Sequence, residues 1–330
     1  MVVEPEMCWP MRILFMKAPI EAVRRRLSTK SLKKALAIAF PGRDCIPVDL
    51  LSSVVRFFFD SIPQTALLLL AGAAFSIHAR ANPLLVDFDG TQPGAYTKGR
   101  AKGDWPGLRW GSFDRAMIVG GADALGVRNG RSLKVFYPKG QVGSTRSGCQ
   151  FQVGLAPRPE YFLDYRVRFG DADKKRWDFG RGGKLPGLAG GTANTGGKKT
   201  TGDGWSARYM WKSGKLVVYL YHLGQKGTIG ETLALNYSLA AGKWYRLTQR
   251  VRVNEGSTAD GILQVWVDGK IRLDRRDIRF RKANAAPVDV FYFSTFFGGS
   301  SKSWAPKIDS EAYFDQFIIQ PTAPRDIQLP

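Results

Sequence analysis

From residue 84 onward the chain is written in short runs rich in β-branched and aromatic residues, separated by Gly, Pro, Asp and Asn. The runs include "SLKVFY" (132–137), "YFLDYRVRF" (161–169), "WYRLTQRVRV" (244–253), "GILQVWV" (261–267), "KIRL" (270–273), "VFYFSTFF" (290–297) and "AYFDQFII" (312–319). No long helical period and no internal repeat interrupts them. Many short strands with turn signals between them restrict the chain to an all-β fold, an antiparallel β-sandwich of the jelly-roll kind. Asp268-Gly269, set between "LQVWV" and "KIRL", is the clearest two-residue hairpin turn.

A second hairpin is written in "WSARYMWKSGKLVVYLYH" (205–222). With Ser213-Gly214 as its turn, Lys212 faces Lys215, Arg208 faces Tyr219, and Ser206 faces Tyr221. Side chains alternate across a strand, so Ser206, Arg208, Tyr219 and Tyr221 share one face. Trp205, Ala207, Tyr209, Trp211, Val218, Leu220 and His222 occupy the other, which suits a sandwich core. The polar face is open to two readings: a solvated sheet surface, where Tyr and Arg are ordinary, or a site.

The 330 residues carry a formal charge of +21. Residues 1–81 hold 11 of the Lys and Arg and 6 of the Asp and Glu, so residues 82–330 keep a charge of about +16. Such a bias concentrates polyanions near the surface. Nucleic acid, anionic membrane and acidic polysaccharide all fit this charge.

"TALLLLAGAAFSI" (65–77) is shorter than the ~20 apolar residues of a membrane-spanning helix, and Ala79-Arg80-Ala81 follows it as a cleavage site. This reads as a signal peptide, with 1–81 as leader and 82–330 as one domain, secreted or periplasmic. An uncleaved membrane anchor is the competing reading. The leader holds Cys8 and Cys45, and only Cys149 lies beyond it. A domain with one thiol has no internal disulfide, so its core must hold it together.

Upstream of the hairpin, "GGKLPGLAGG" (182–191) sets Lys184 among glycines, where a backbone or ligand can approach closely. Asp178 and Leu185 stand where a phosphate-binding loop would need Gly and Ser/Thr, so it is not one. "GGKLPGLAGG", "GWSARYMW", "VYLYH" and "STFFGGSSKSWAP" (294–306), in that order, resemble polysaccharide lyase family 14, which includes alginate and glucuronan lyases. The resemblance covers roughly residues 130–320. It implies a β-jelly roll with a substrate groove on one sheet, and it carries the family's lysine to Lys184, its Ser and Arg to Ser206 and Arg208, and its tyrosines to Tyr219 and Tyr221.

A polyuronate lyase removes the C5 proton and breaks the C4–O bond by β-elimination. The adjacent carboxylate makes that proton a poor acid until a cation or donor stabilises the developing charge. Lys184 and Arg208 suit this task, and the resemblance puts Lys184 in it. Tyr219 and Tyr221 are expected as base and acid, their pKa values lowered by nearby cations. Ser206 is expected to orient substrate, since His222 points away from this face. Arg246, Arg250 and Arg252 alternate with apolar residues along "WYRLTQRVRV", either as a ladder for uronate carboxylates or as a solvated edge strand. Trp304 and Phe297, near "FFGGSS", are candidates for stacking on sugar rings, although aromatics in such runs are more often core. The Gly- and Thr-rich stretch 190–204 is either a disordered loop or a cover over a site.

The expected partner is an acidic polysaccharide, bound by a monomer with no stable membrane association and no nucleic acid. No cofactor or metal is expected, because one histidine and one cysteine make no usual transition-metal set and no oxygen-rich calcium loop is evident. A glycosidase would need two spaced carboxylates; Glu160, Glu231, Glu255 and Glu311 form no such motif. A non-catalytic lectin on the same sandwich is the stronger rival, because fold does not fix function.

Overall fold

The computed structural model describes residues 82–121, 130–171, 173, 176–299 and 301–330. The leader and its cleavage site lie outside these. Along the chain come β1 (Leu84–Val86), β2 (Gly94–Ala95), α1 (Lys98–Asp104), β3 (Leu108–Ser112), β4 (Ala116–Gly120), β5 (Arg131–Tyr137), β6 (Cys149–Arg158), β7 (Glu160–Phe169), β8 (Gly183–Gly191), β9 (Gly204–Lys212), β10 (Lys215–Tyr221), β11 (Glu231–Ser238), β12 (Trp244–Arg252), β13 (Gly261–Val267), β14 (Lys270–Ile278), β15 (Val288–Phe297) and β16 (Ser310–Gln320). No helix among the described residues is long and apolar enough to cross a membrane.

The strands form two antiparallel sheets. One has the order β14-β13-β12-β7-β16-β5-β4-β2, with β1 also paired to β16; the other has the order β11-β10-β9-β8-β15-β6-β3. Between them lies the core, in which alternate residues of each strand are buried, as the period-2 pattern requires. From the seven-stranded sheet it takes Phe151, Leu188, Tyr209, Val218 and Phe291, and from the other Val135, Tyr165, Leu247, Val265 and Phe314. Polar groups that enter this layer are paired across it. Gln249 of β12 accepts from the Leu188 N–H at 2.9 Å and donates to the Ala207 carbonyl at 2.9 Å, and Tyr209 Oη donates to the Thr248 carbonyl at 3.0 Å. These bonds join the sheets without leaving a buried amide or hydroxyl unsatisfied.

Both hairpin turns have the expected form. Ser213 and Gly214 sit at φ 48° and 75°, and Asp268 and Gly269 at 51° and 78°; two successive left-handed residues match the twist of the flanking strands. The register of β9 and β10 pairs Lys212 with Lys215, Arg208 with Tyr219 and Ser206 with Tyr221, as the sequence predicts.

Two glycines of β8, Gly183 and Gly190, serve the core. A Cβ on Gly183 would fall 2.2 Å from the Trp211 ring, and one on Gly190 would fall 2.4 Å from Trp205 Nε1. The glycine-rich stretch is thus a strand whose missing side chains make room for the two indoles of β9. Pairing of β8 with β9 slips between Lys184 and Gly187, and this irregularity turns Lys184 to the outer face while Leu185 enters the core.

Candidate active site

The outer face of β8, β9 and β10 collects Lys184, Ser206, Arg208, Tyr219 and Tyr221. All five side chains that the sequence brings forward for chemistry therefore meet on one surface. Tyr219 and Tyr221 touch through their hydroxyls, 3.4 Å apart, with rings at 90°. Lys184 Nζ lies 3.8 Å from the centre of the Tyr219 ring and 3.0 Å from Met210 Sδ. Arg208 is buried; its Nη1 donates to Ser294 Oγ at 3.1 Å, and its guanidinium sits 5.1 Å from the Tyr292 ring centre.

Charge sets the character of this surface. Among the described residues neither Lys184 nor Arg208 forms an ion pair with a carboxylate, although the molecule has many such pairs elsewhere. A buried, unpaired cation is costly, and the Arg208 Nε–H has no acceptor at all. Burial, and then the charges of Arg208 and Lys212, hold the Lys184 pKa well below the ordinary lysine value. Burial also lowers that of Arg208, against the opposing influence of Tyr292, Tyr221 and Tyr219.

At Tyr219 the sequence expectation is reversed. Burial, then the hydrogen bond and charge of Tyr221, push its pKa up, and the Arg208 charge offsets only part of this. Removing a phenol from water opposes its ionisation more strongly than one guanidinium favours it. Tyr219 therefore keeps its proton at neutral pH.

The stretch 192–203 covers one end of the face. Ser206 Oγ donates to the Asn194 carbonyl at 2.6 Å, and the Gly197 N–H donates to Tyr221 Oη at 2.9 Å. Ala193 packs with Ala189, Val290 and Tyr292 in a small apolar cluster separate from the main core. Of the two readings of this stretch, the structure shows the cover. It also explains why Ser206 and Tyr221 are buried although they face away from the sandwich.

His222 does point elsewhere. Its Nε2 meets Glu231 Oε2 at 3.0 Å, and burial lowers its pKa despite the carboxylate. Phe297 is core. The arginines of β12 lie on the other sheet, and Arg246 and Arg250 have acidic partners. Arg246 bonds Asp164 at 2.7 Å and also holds Asp326; Arg250 holds Glu160 and bonds Gln264 at 2.9 Å; Arg252 reaches only the Asp260 carbonyl at 3.5 Å. Alternation correctly placed them on one face, but that face is not the one bearing Lys184. Trp304 ends a short 3-10 turn beyond β15, with the Arg181 guanidinium 5.2 Å from its ring centre. Its ring rests on Gly299, where a Cβ would come within 2.3 Å, rather than on the lysine–tyrosine cluster.

Other residues of this face come from strands remote in sequence. Ser294 Oγ passes the Arg208 bond on to Gln150 Oε1 at 3.1 Å, and Met210 and Tyr292 complete the surroundings of the two cations. The signal for them was available: Tyr292 and Ser294 alternate with Phe291 and Phe293, and Gln150 and Gln152 alternate with Phe151 and Val153.

The family model for polysaccharide lyase 14 matches residues 127–317. The chain belongs to this family. Its fold is that of solved alginate lyases: one named Aly36B, a double mutant in complex with alginate trisaccharide, superposes with a TM-score of 0.63 at 27% identity, covering 73% of this chain and 98% of that one. The PL-14 alginate lyase from the marine Aplysia kurodai superposes with a TM-score of 0.61 at 24% identity, covering 73% of this chain and 100% of that one. No curated protein matches the sequence. This family member is a polysaccharide lyase, and its jelly-roll sandwich is the fold expected of one.

Proposed function

We propose that the protein is a secreted polyuronate lyase acting on an alginate-type chain, with Lys184, Arg208, Tyr219 and Tyr221 as its chemical groups. The observation that supports this most is the pair of cations, Lys184 and Arg208, that share one face with no carboxylate among the described residues to neutralise them. An unpaired cation pair beside a tyrosine pair suits a substrate that brings its own carboxylate. The likeness to a lyase seen with bound alginate trisaccharide points to the same substrate class.

The division of labour follows from the pKa directions. Arg208 keeps its charge and stabilises the enolate-like carboxylate as the C5 proton departs. Lys184, with its depressed pKa, has a neutral amine population that accepts this proton. The C5–H electron pair forms the C4–C5 double bond and the C4–O bond breaks. The leaving oxygen takes a proton from the tyrosine pair, whose members share a hydrogen bond. The ammonium of Lys184, lying over the Tyr219 ring, then returns its proton to the tyrosinate and resets the site. This assigns the base to Lys184 and the acid to the tyrosine pair, because burial raises the pKa of Tyr219 and makes it a poor base. Ser206, bonded to the cover, positions it.

The test is to incubate the purified protein with alginate, glucuronan and neutral glucan and follow the absorbance of the new C4–C5 double bond. A signal with a polyuronate alone supports the reading. Tight binding of polyuronates without unsaturated ends on any of them would make the protein a lectin.

A further inference from the structure

The strand register draws a line across the outer face of the seven-stranded sheet. Tyr219 pairs with Arg208, Arg208 with Gly187, Gly187 with Tyr292, Tyr292 with Gln152, and Gln152 with Trp110. Directly paired residues share a face, so this row runs from the reacting cluster to the outermost strand, β3. Four strand spacings of ~4.8 Å separate the backbone of Trp110 from that of Arg208 by about 19 Å, and the shared contacts with the Tyr292 ring bring the indole to within about 11 Å of the guanidinium.

Trp110 is one of few large apolar side chains left exposed, at 38%. Its ring meets that of Tyr292 edge to face, with centroids 6.0 Å apart at 76°, which braces the indole against the sheet. Tyr292 in turn lies beside Arg208. Between the indole and the cations the row offers an amide at Gln152, and Gly187 adds no side chain. An exposed, braced aromatic at the end of a polar row is the arrangement that recognises a sugar polymer. The C–H face of a pyranose ring packs on the indole while its hydroxyls reach amides and its carboxylates turn towards cations.

We infer that Trp110 is a stacking platform for the polyuronate at the β3 edge of this row, beyond the sugars that flank the bond that is cut. The inference rests on the polyuronate reading above and extends it to the length of chain held.

The experiment titrates alginate oligosaccharides, from trisaccharide to octasaccharide, into full-length Lys184→Ala protein by calorimetry, with and without Trp110→Ala or Trp110→Phe. Affinity is expected to step up at the length that reaches β3. Trp110→Ala should lower the octasaccharide-to-trisaccharide affinity ratio roughly tenfold, the order of one aromatic contact, and Trp110→Phe should restore most of it. An unchanged ratio in Trp110→Ala protein with a native circular dichroism spectrum overturns the platform, even where the wild type forms unsaturated ends. A fallen ratio with no unsaturated ends from the wild type refutes elimination and leaves the platform standing. Absence of binding at every length overturns both.

Discussion

Lys184 is the residue on which stability and chemistry conflict. Its amine is held between Met210 Sδ and the Tyr219 ring, with burial and two like charges opposing its protonation. An unfolded lysine binds a proton up to about pH 10.4, so between the lowered folded pKa and that value the unfolded state binds more protons. Stability therefore rises with pH across that window, and below it Lys184 is a charged group the fold must tolerate. Lys184→Met should raise the thermal midpoint at neutral pH while lowering turnover by about 10²–10⁴, the usual loss for a positioned proton-transfer group. Activity of the unmodified protein should climb with pH through a pKa below the ordinary lysine range, and pH–rate profiles check this. Tyr219→Phe and Tyr221→Phe keep the rings and should lose turnover on the same scale with polyuronate binding retained. Near-normal rates in both would leave the tyrosines as a plain sheet surface.

At the scale of elements, β16 carries an independent test of the electrostatics. Asp315 is buried, accepts from Ser132 Oγ at 3.0 Å and from the Gln316 N–H at 2.7 Å, and has its pKa pushed up to about 7, first by burial and then by Asp89 and Asp87. A raised carboxyl pKa means that the folded state binds more protons between about pH 3.9 and this value. Its contribution is complete at low pH and is lost as pH rises through the folded pKa. Asp315→Asn should therefore stabilise the protein at pH 8 and give no gain at pH 4, as read by denaturant midpoints at the two pH values; equal effects at both would contradict this. The same scale shows what the sequence could convey. The Ser213-Gly214 turn fixes the register of β9 and β10, so the pairs Arg208–Tyr219 and Ser206–Tyr221 were legible in eighteen consecutive residues. Lys184 was legible as a residue but not as part of a strand, because glycine runs read as loop, and it takes the indoles of Trp211 and Trp205 to explain Gly183 and Gly190. Ser294, Gln150 and Trp110 join the site through pairings between distant strands, which local alternation does not encode.

For the whole molecule, the two sheets hold cations in two different states. Arg246 and Arg250 of β12 are bound to Asp164, Asp326 and Glu160, whereas among the described residues Lys184 and Arg208 on the opposite sheet pair with no carboxylate. A period-2 pattern tells which residues share a face, but not which of two sheets the face belongs to; this is why the ladder looked like a substrate site in the sequence. Arg250→Gln should lower the thermal midpoint, by breaking its bonds to Glu160 and Gln264, and leave the KM for polyuronate and its dependence on salt within twofold. A KM that rises with that substitution would return β12 to the binding surface.

The central claim is that this face cuts a polyuronate by elimination rather than by hydrolysis. Mass spectrometry of alginate digested in heavy-oxygen water tests it most directly. The account predicts products with unsaturated non-reducing ends and no heavy oxygen gained in cleavage, formed by the wild type and almost absent with Lys184→Ala. Saturated products carrying heavy oxygen from the cleavage step, or equal yields from the two proteins, would contradict it.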